Sequence, residues 1–169
     1  MKNQTPSENK IGKVILLTGK IASGKSYYAE NYVKNNRAMI LSCDDLILAL
    51  FDDCLGEEHQ KIEQRAFTFF YNQAVQLANL GIDALLDFGF WTHESRIEAC
   101  KFFEKQGIET ETWYFEIDDE LRKNRLNERN KKLQESQGNR REYIIDSKML
   151  ERFDAMYEVP DEIGIIKII

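Results

Sequence analysis

Gly19-Lys20-Ile21-Ala22-Ser23-Gly24-Lys25-Ser26 carries two glycines separated by four residues and followed by Lys and Ser. This is the complete phosphate-loop pattern. The apolar run Val14-Ile15-Leu16-Leu17-Thr18 precedes it, and a helix-like stretch from Tyr27 to Asn35 follows. Strand, glycine loop and helix in that order turn a pattern into a site. Gly19 and Gly24 let the backbone curl so that successive N–H groups face phosphate oxygens. The helix adds the positive end of its dipole. The expected contacts are Gly19, Ala22, Ser23, Gly24, Lys25 and Ser26. Lys25 reaches the β- and γ-phosphates, and Ser26 ligates magnesium. The bland alternative, a glycine-rich turn without a ligand, does not account for the context.

Outward from the loop, strands alternate with helices. Ala38 to Ser42 reads as a second strand. Asp44 and Asp45 open a short helix, Leu46 to Phe51, with Asp45 as the capping or first-turn residue. A long helix runs from His59 to Leu80, its buried face marked by Ile62, Ala66, Phe69, Phe70, Leu77 and Leu80. Ile82 to Phe88 is a third strand, Glu94 to Gln106 a helix, and Glu109 to Ile117 a fourth strand. Asp118 and Asp119 begin a basic helix that breaks near Ser136 to Asn139. Asp146 to Met156 is helical and Ile163 to Ile169 is the last strand. This alternation predicts a three-layer α/β domain on a five-stranded, mostly parallel sheet. Periodicity does not fix the strand order.

The 169 residues fit one domain with a substantial core. No apolar stretch approaches the length of a membrane span, and Met1 to Lys10 lacks a signal-peptide core, reading as a flexible leader. Cys43, Cys54 and Cys100 are odd in number and widely spaced, which fits reduced thiols in a cytoplasmic protein. The net charge of −6 argues against a general nucleic-acid coat. Yet Arg122, Lys123, Arg125, Arg129, Lys131, Lys132, Arg140 and Arg141 crowd into one segment. Such a segment is an anion clamp or a solvated face.

In a parallel sheet, ligands collect beyond the carboxyl ends of the strands. Asp44 falls there. It is a candidate base for a substrate hydroxyl, a magnesium ligand through water, or a plain helix cap. Asp87, ending an apolar strand, suits a magnesium role or a local turn. Phe90 and Trp91, in Phe88-Gly89-Phe90-Trp91, either line an acceptor pocket or pack beneath the next helix. Arg96 faces the acceptor or lies on the surface. Arg125 and Arg129, four apart, grip ATP phosphates during transfer or pair with Glu128 and its neighbours. His93 reads as a helix-start residue.

Gly19 to Ser26, Leu41-Ser42-Cys43-Asp44-Asp45-Leu46, Leu86 to Trp91 with Arg96, and Arg125 to Asn130 together resemble the AAA-type ATP-binding proteins of the small predicted-kinase group. Chloramphenicol phosphotransferases, gluconate and shikimate kinases and zeta toxins are more distant relatives. The resemblance implies a nucleoside-monophosphate-kinase-like sheet of order 2-3-1-4-5 and a helical lid, here about 118–142. It also implies ATP with magnesium. The expected activity is transfer of the ATP γ-phosphate to a hydroxyl of a small molecule. The alternatives are a 5′-hydroxyl polynucleotide kinase and a non-catalytic ATP-dependent switch that binds a protein partner.

Overall fold

A computed structural model describes residues 11–51, 55–135, 143–162 and 164–168. The expected leader 1–10, Cys54, the helix break at 136–139, Arg140 and Arg141 lie outside the described residues.

Five strands, β1 Val14–Thr18, β2 Ala38–Ser42, β3 Asp83–Asp87, β4 Thr110–Phe115 and β5 Ile165–Ile168, form one sheet of order β2-β3-β1-β4-β5. Every pairing is parallel, so the implied order holds and "mostly parallel" becomes wholly parallel. The described helices are α1 Lys25–Asn35, α2 Cys43–Phe51, α3 His59–Asn79, α4 His93–Glu104, α5 Asp119–Glu135 and α6 Ser147–Met156.

The central strand shows why the sheet needs cover on both faces. Val14 and Leu16 of β1 join Leu41, Ala84 and Leu86 in a core with Ala74 and Ala78 of α3 and Ala99 and Phe103 of α4. Ile15 and Leu17 point the other way, toward Ala29 of α1, Trp113 and Phe115. All four β1 side chains are fully buried, each stabilising the fold by roughly 1.5–3 kcal/mol. Gly12 leads into β1 where a Cβ would stand 2.4 Å from the Ile82 carbonyl oxygen, so only glycine fits.

Several boundaries differ from expectation for local reasons. α1 starts at Lys25, directly on the loop, and α2 starts at Cys43 with no intervening turn. Ser42 Oγ accepts the Asp45 N–H at 3.2 Å, so Ser42 caps α2 and Asp44 and Asp45 occupy its first turn. Thr92 caps α4, Asp146 caps α6, and Asp118 Oδ1 accepts the N–H groups of Glu120 and Leu121. The α3 face is also corrected. Its fully buried seam is Ala66, Ala74 and Ala78, whereas Phe69 and Leu80 are exposed. Small side chains let the helix axis approach, and flanking Phe70, Tyr71 and Leu77 fill the margins.

Candidate active site

Residues 19–24 join β1 to α1 across the carboxyl edge of the sheet. A Cβ on Gly19 would stand 2.8 Å from both the Phe115 carbonyl oxygen and Ser23 Oγ. Ala22 (φ 62°) and Gly24 (φ 99°) are left-handed, the backbone conformation by which such a loop curls around an anion. Gly24 caps α1 without a side-chain bond, leaving the first-turn amides available to an anion.

Lys25 lies across this loop. Its Nζ donates to the carbonyls of Gly19 at 2.9 Å and Lys20 at 3.1 Å. Burial lowers its pKa, with Arg129 pushing the same way and Asp87 and Asp44 opposing. Ser23 Oγ is buried with no hydrogen-bond partner among the described residues. An unsatisfied buried hydroxyl in a glycine loop fits a polyanion better than a plain turn.

Ser26 Oγ donates to Asp87 Oδ2 at 2.7 Å. Ser42 and Asp87 are register partners on β2 and β3, which sets Asp44 close by, in the first turn of α2. The Asp44 side chain is exposed to water on one side, and on the other it stands in a hollow whose charges come from Asp87, Glu63, Lys25 and Asp45. Burial in that hollow is the largest cause of a pKa pushed up from 3.8 to about 7; Asp87 and Glu63 raise it further and Lys25 opposes them. Water at the open mouth works against this lift, and a ligand filling the mouth works with it. A hydroxyl and nearby carboxylates form the hard-oxygen set that magnesium takes alongside phosphate oxygens. Ser26 and Asp87, with Asp44 beside them, therefore fit the ion.

The aromatic loop settles against the core. Phe90 is buried in the left-handed region (φ 42°), stacked on Phe88 and packed with Ala99 and Phe103. Trp91 is half-buried, its ring 4.8 Å from Phe153 of α6. Of the two expectations for these aromatics, packing beneath the helix describes Phe90.

Arg96 is placed differently from either expectation. It is fully buried, neither on the surface nor facing an open acceptor cleft. Its Nε donates to Glu162 Oε1 at 2.7 Å, and its Nη1 donates to the carbonyls of Phe90 and Glu158, both at 3.1 Å. The Glu158 N–H also donates to the Trp91 carbonyl at 2.8 Å. Residues 158–162 thus form a strap that holds the strand-end loop.

The basic segment divides. Arg125 reaches the loop, where a Cβ on Gly24 would lie 3.8 Å from its Nη1. Arg129 is close enough to lower the Lys25 pKa. Arg122 is fully buried, making two bonds to Asp154 at 3.0 and 2.6 Å and one to Asp119 at 3.2 Å. Asn130 holds the Ile145 backbone by two hydrogen bonds. The early turns of α5 are therefore anchored to α6 and present Arg125 and Arg129 from a fixed base.

Sequence reasoning missed Glu63 and the structural duty of Arg122. Glu63 gave no signal beyond its four-residue spacing from His59. Arg122 was one of eight cations, and only the Asp119 three residues earlier hinted at a partner.

The sheet order, the glycine loop and the Ser26–Asp87 pair together define a nucleotide-binding P-loop domain with a kinase-like fold. The chain belongs to the AAA domain family, which it matches over residues 14–156. No curated protein matches it at the level of sequence. Among solved structures it is similar to the Mycobacterium tuberculosis APS kinase CysC in complex with AMPPNP and APS. That match has TM-score 0.62 and 20% identity, covering 94% of this chain and 88% of the other. It is similar also to Chaetomium thermophilum Kti12 in complex with ADP-AlF3, with TM-score 0.65 and 16% identity, covering 92% and 88%. A gluconokinase from Sinorhizobium meliloti 1021 matches with TM-score 0.62 and 11% identity, covering 95% and 83%. At these identities the likeness establishes the fold.

Proposed function

We propose that this domain transfers the γ-phosphate of ATP to a hydroxyl of a small molecule, with magnesium. The observation that carries this reading is the carboxylate Asp44, two residues past β2, within electrostatic reach of both Lys25 and Asp87. Gly19, Ala22, Ser23, Gly24 and Lys25 hold the phosphates; Ser26 and Asp87 hold the ion. Magnesium supplies neutralisation of phosphate charge when bound. The acceptor oxygen attacks the γ-phosphorus, its proton passes to the Asp44 carboxylate, and the bond to the β,γ-bridging oxygen breaks to release ADP. Arg125 and Arg129 stabilise the charge that develops on the transferring group.

Two other readings differ in what occupies the acceptor side. A 5′-hydroxyl polynucleotide kinase draws support from likeness to a chain of the Pnkp1/Rnl/Hen1 RNA repair complex. That match has TM-score 0.67 and 17% identity, covering 89% of this chain and 45% of the other. The other is a switch that binds ATP and a protein partner without transferring phosphate. The net charge of −6 favours the small acceptor over the oligonucleotide. A carboxylate poised as base favours transfer over switching. Transfer of labelled γ-phosphate from ATP to sugars, nucleosides, amino alcohols and 5′-hydroxyl oligonucleotides tests the proposal. Label on a small acceptor is expected. Nucleotide binding without transfer to any compound would overturn it in favour of the switch.

A further inference from the structure

We infer that the acceptor end of this site is an acidic, aromatic-lined subsite that takes neutral or cationic hydroxyl compounds and excludes anionic ones. It is built from Asp44 and the His59–Glu63–Phe67 face of α3. The inference rests on the phosphotransfer reading and adds the acceptor class to it.

The geometry begins with helical spacing. His59, Glu63 and Phe67 are four apart and share one face of α3. The Phe67 ring stacks on Phe88 at 4.9 Å with planes 12° apart, and Phe88 directly follows Asp87. That contact brings this face of α3 to the carboxyl end of β3. One turn from Phe67, Glu63 acts on Asp44 and on buried Cys43, raising the pKa of each. Burial raises the pKa of Glu63 itself. One turn further on, the His59 ring lies edge-on to Tyr143 at 5.8 Å. Its Nδ1 is buried and has no hydrogen-bond partner among the described residues.

The arginines and lysines described around the site lie elsewhere or are engaged. Lys25 is bonded to loop carbonyls, Arg125 stands beside Gly24, and Arg129 lies within charge reach of Lys25 at the phosphate end. Arg122 is held by Asp154 and Asp119, Arg96 by Glu162, and Lys61 by Glu58. Arg65 is two residues from Glu63, about 200° around the helix, and exposed. An anionic acceptor would therefore meet the carboxylates of Asp44 and Glu63, while Lys25, which lies within charge reach of Asp44, is held at the phosphate end by its bonds to the loop carbonyls. A hydroxyl or an ammonium group finds acceptors for its hydrogens there, and the Phe67–Phe88 pair offers an apolar surface for a ring.

The test uses the full chain. Intrinsic ATP hydrolysis is measured first, then acceptor-dependent turnover with glucose, glucosamine, gluconate, adenosine, an amino alcohol, a sugar phosphate and a 5′-hydroxyl oligonucleotide. Neutral or cationic compounds are expected to exceed their anionic counterparts by about tenfold or more in kcat/KM. Preference for an anionic compound overturns the acidic subsite and leaves phosphotransfer standing. Intrinsic hydrolysis with no acceptor used also overturns the acceptor class. Loss of both ATP binding and hydrolysis overturns the phosphotransfer reading, and this inference with it. In Glu63→Gln, the kcat/KM ratio of a cationic to a neutral acceptor is expected to fall by about fivefold to tenfold. That ratio is independent of the folded fraction, and an unchanged value overturns the role of Glu63.

Discussion

Two residues at the nucleotide end have separable duties. Lys25 bridges two loop carbonyls where phosphate oxygens would compete for its ammonium. Lys25→Ala should lower transfer by about 100-fold or more while the thermal midpoint stays near wild type, because the two lost bonds to loop carbonyls are offset by no longer burying an ammonium. Turnover and a melting curve on the same preparation check this. Asp44 gives a pH signature. A base must be ionised to accept a proton, so the rate should rise through about pH 7 and level off above it. Asp44→Asn should remove that rise. Stability runs the other way. The folded pKa lies above the ordinary 3.8, so the folded state holds this proton more tightly. The contribution is fully present below about pH 4 and is lost as pH rises through about 7. Asp44→Asn should therefore stabilise the protein at pH 8, by about 1 kcal/mol after solvent screening, and leave it unchanged at pH 3.5. Thermal melts at the two pH values decide it. The glycine loop, Asp44 and Asp87 were legible because each ends or follows an apolar strand. Arg96 was not, because its partners Glu158 and Glu162 lie more than sixty residues away.

At the scale of the element, α5 combines a structural side chain and two that stand beside the phosphate loop within three turns. Arg122 is sealed against Asp154, so Asp154→Ala strands a buried guanidinium with Asp119 as its one ion-pair partner among the described residues. A loss of about 3 kcal/mol in denaturant unfolding is expected, an outcome that a solvated helix face would not give. The amides from Asp119 to Asn130 should be protected from hydrogen exchange even without nucleotide, and in Asp154→Ala that protection should fall. Helix positions were readable from caps and periodicity, but their faces were less so. On α3 the large apolar residues at three- and four-residue spacing suggested a stripe through Phe69. The actual seam is alanine, because close approach to the sheet, rather than side-chain size, decides burial there.

For the whole molecule, the alternation of strands and helices was enough to require a parallel three-layer domain. The order of strands needed the family resemblance, since right-handed crossovers permit more than one arrangement. Gly12 shows how tightly the layers are set. Gly12→Ala places a methyl group against the Ile82 backbone and should cost about 1–3 kcal/mol, read as a lowered thermal midpoint. The strap across the strand-end loop has a consequence for biosynthesis. A ribosome makes residues in order, so the phosphate loop, Asp44 and Asp87 emerge while the partner of Arg96 is still unmade, 66 residues downstream. Until Glu162 is added, a guanidinium destined for the interior has no carboxylate to meet, and β5 has not yet joined the sheet beside β4. The nascent chain thus carries its phosphate loop before it can close the loop beside it, and completion of the sheet waits on β5.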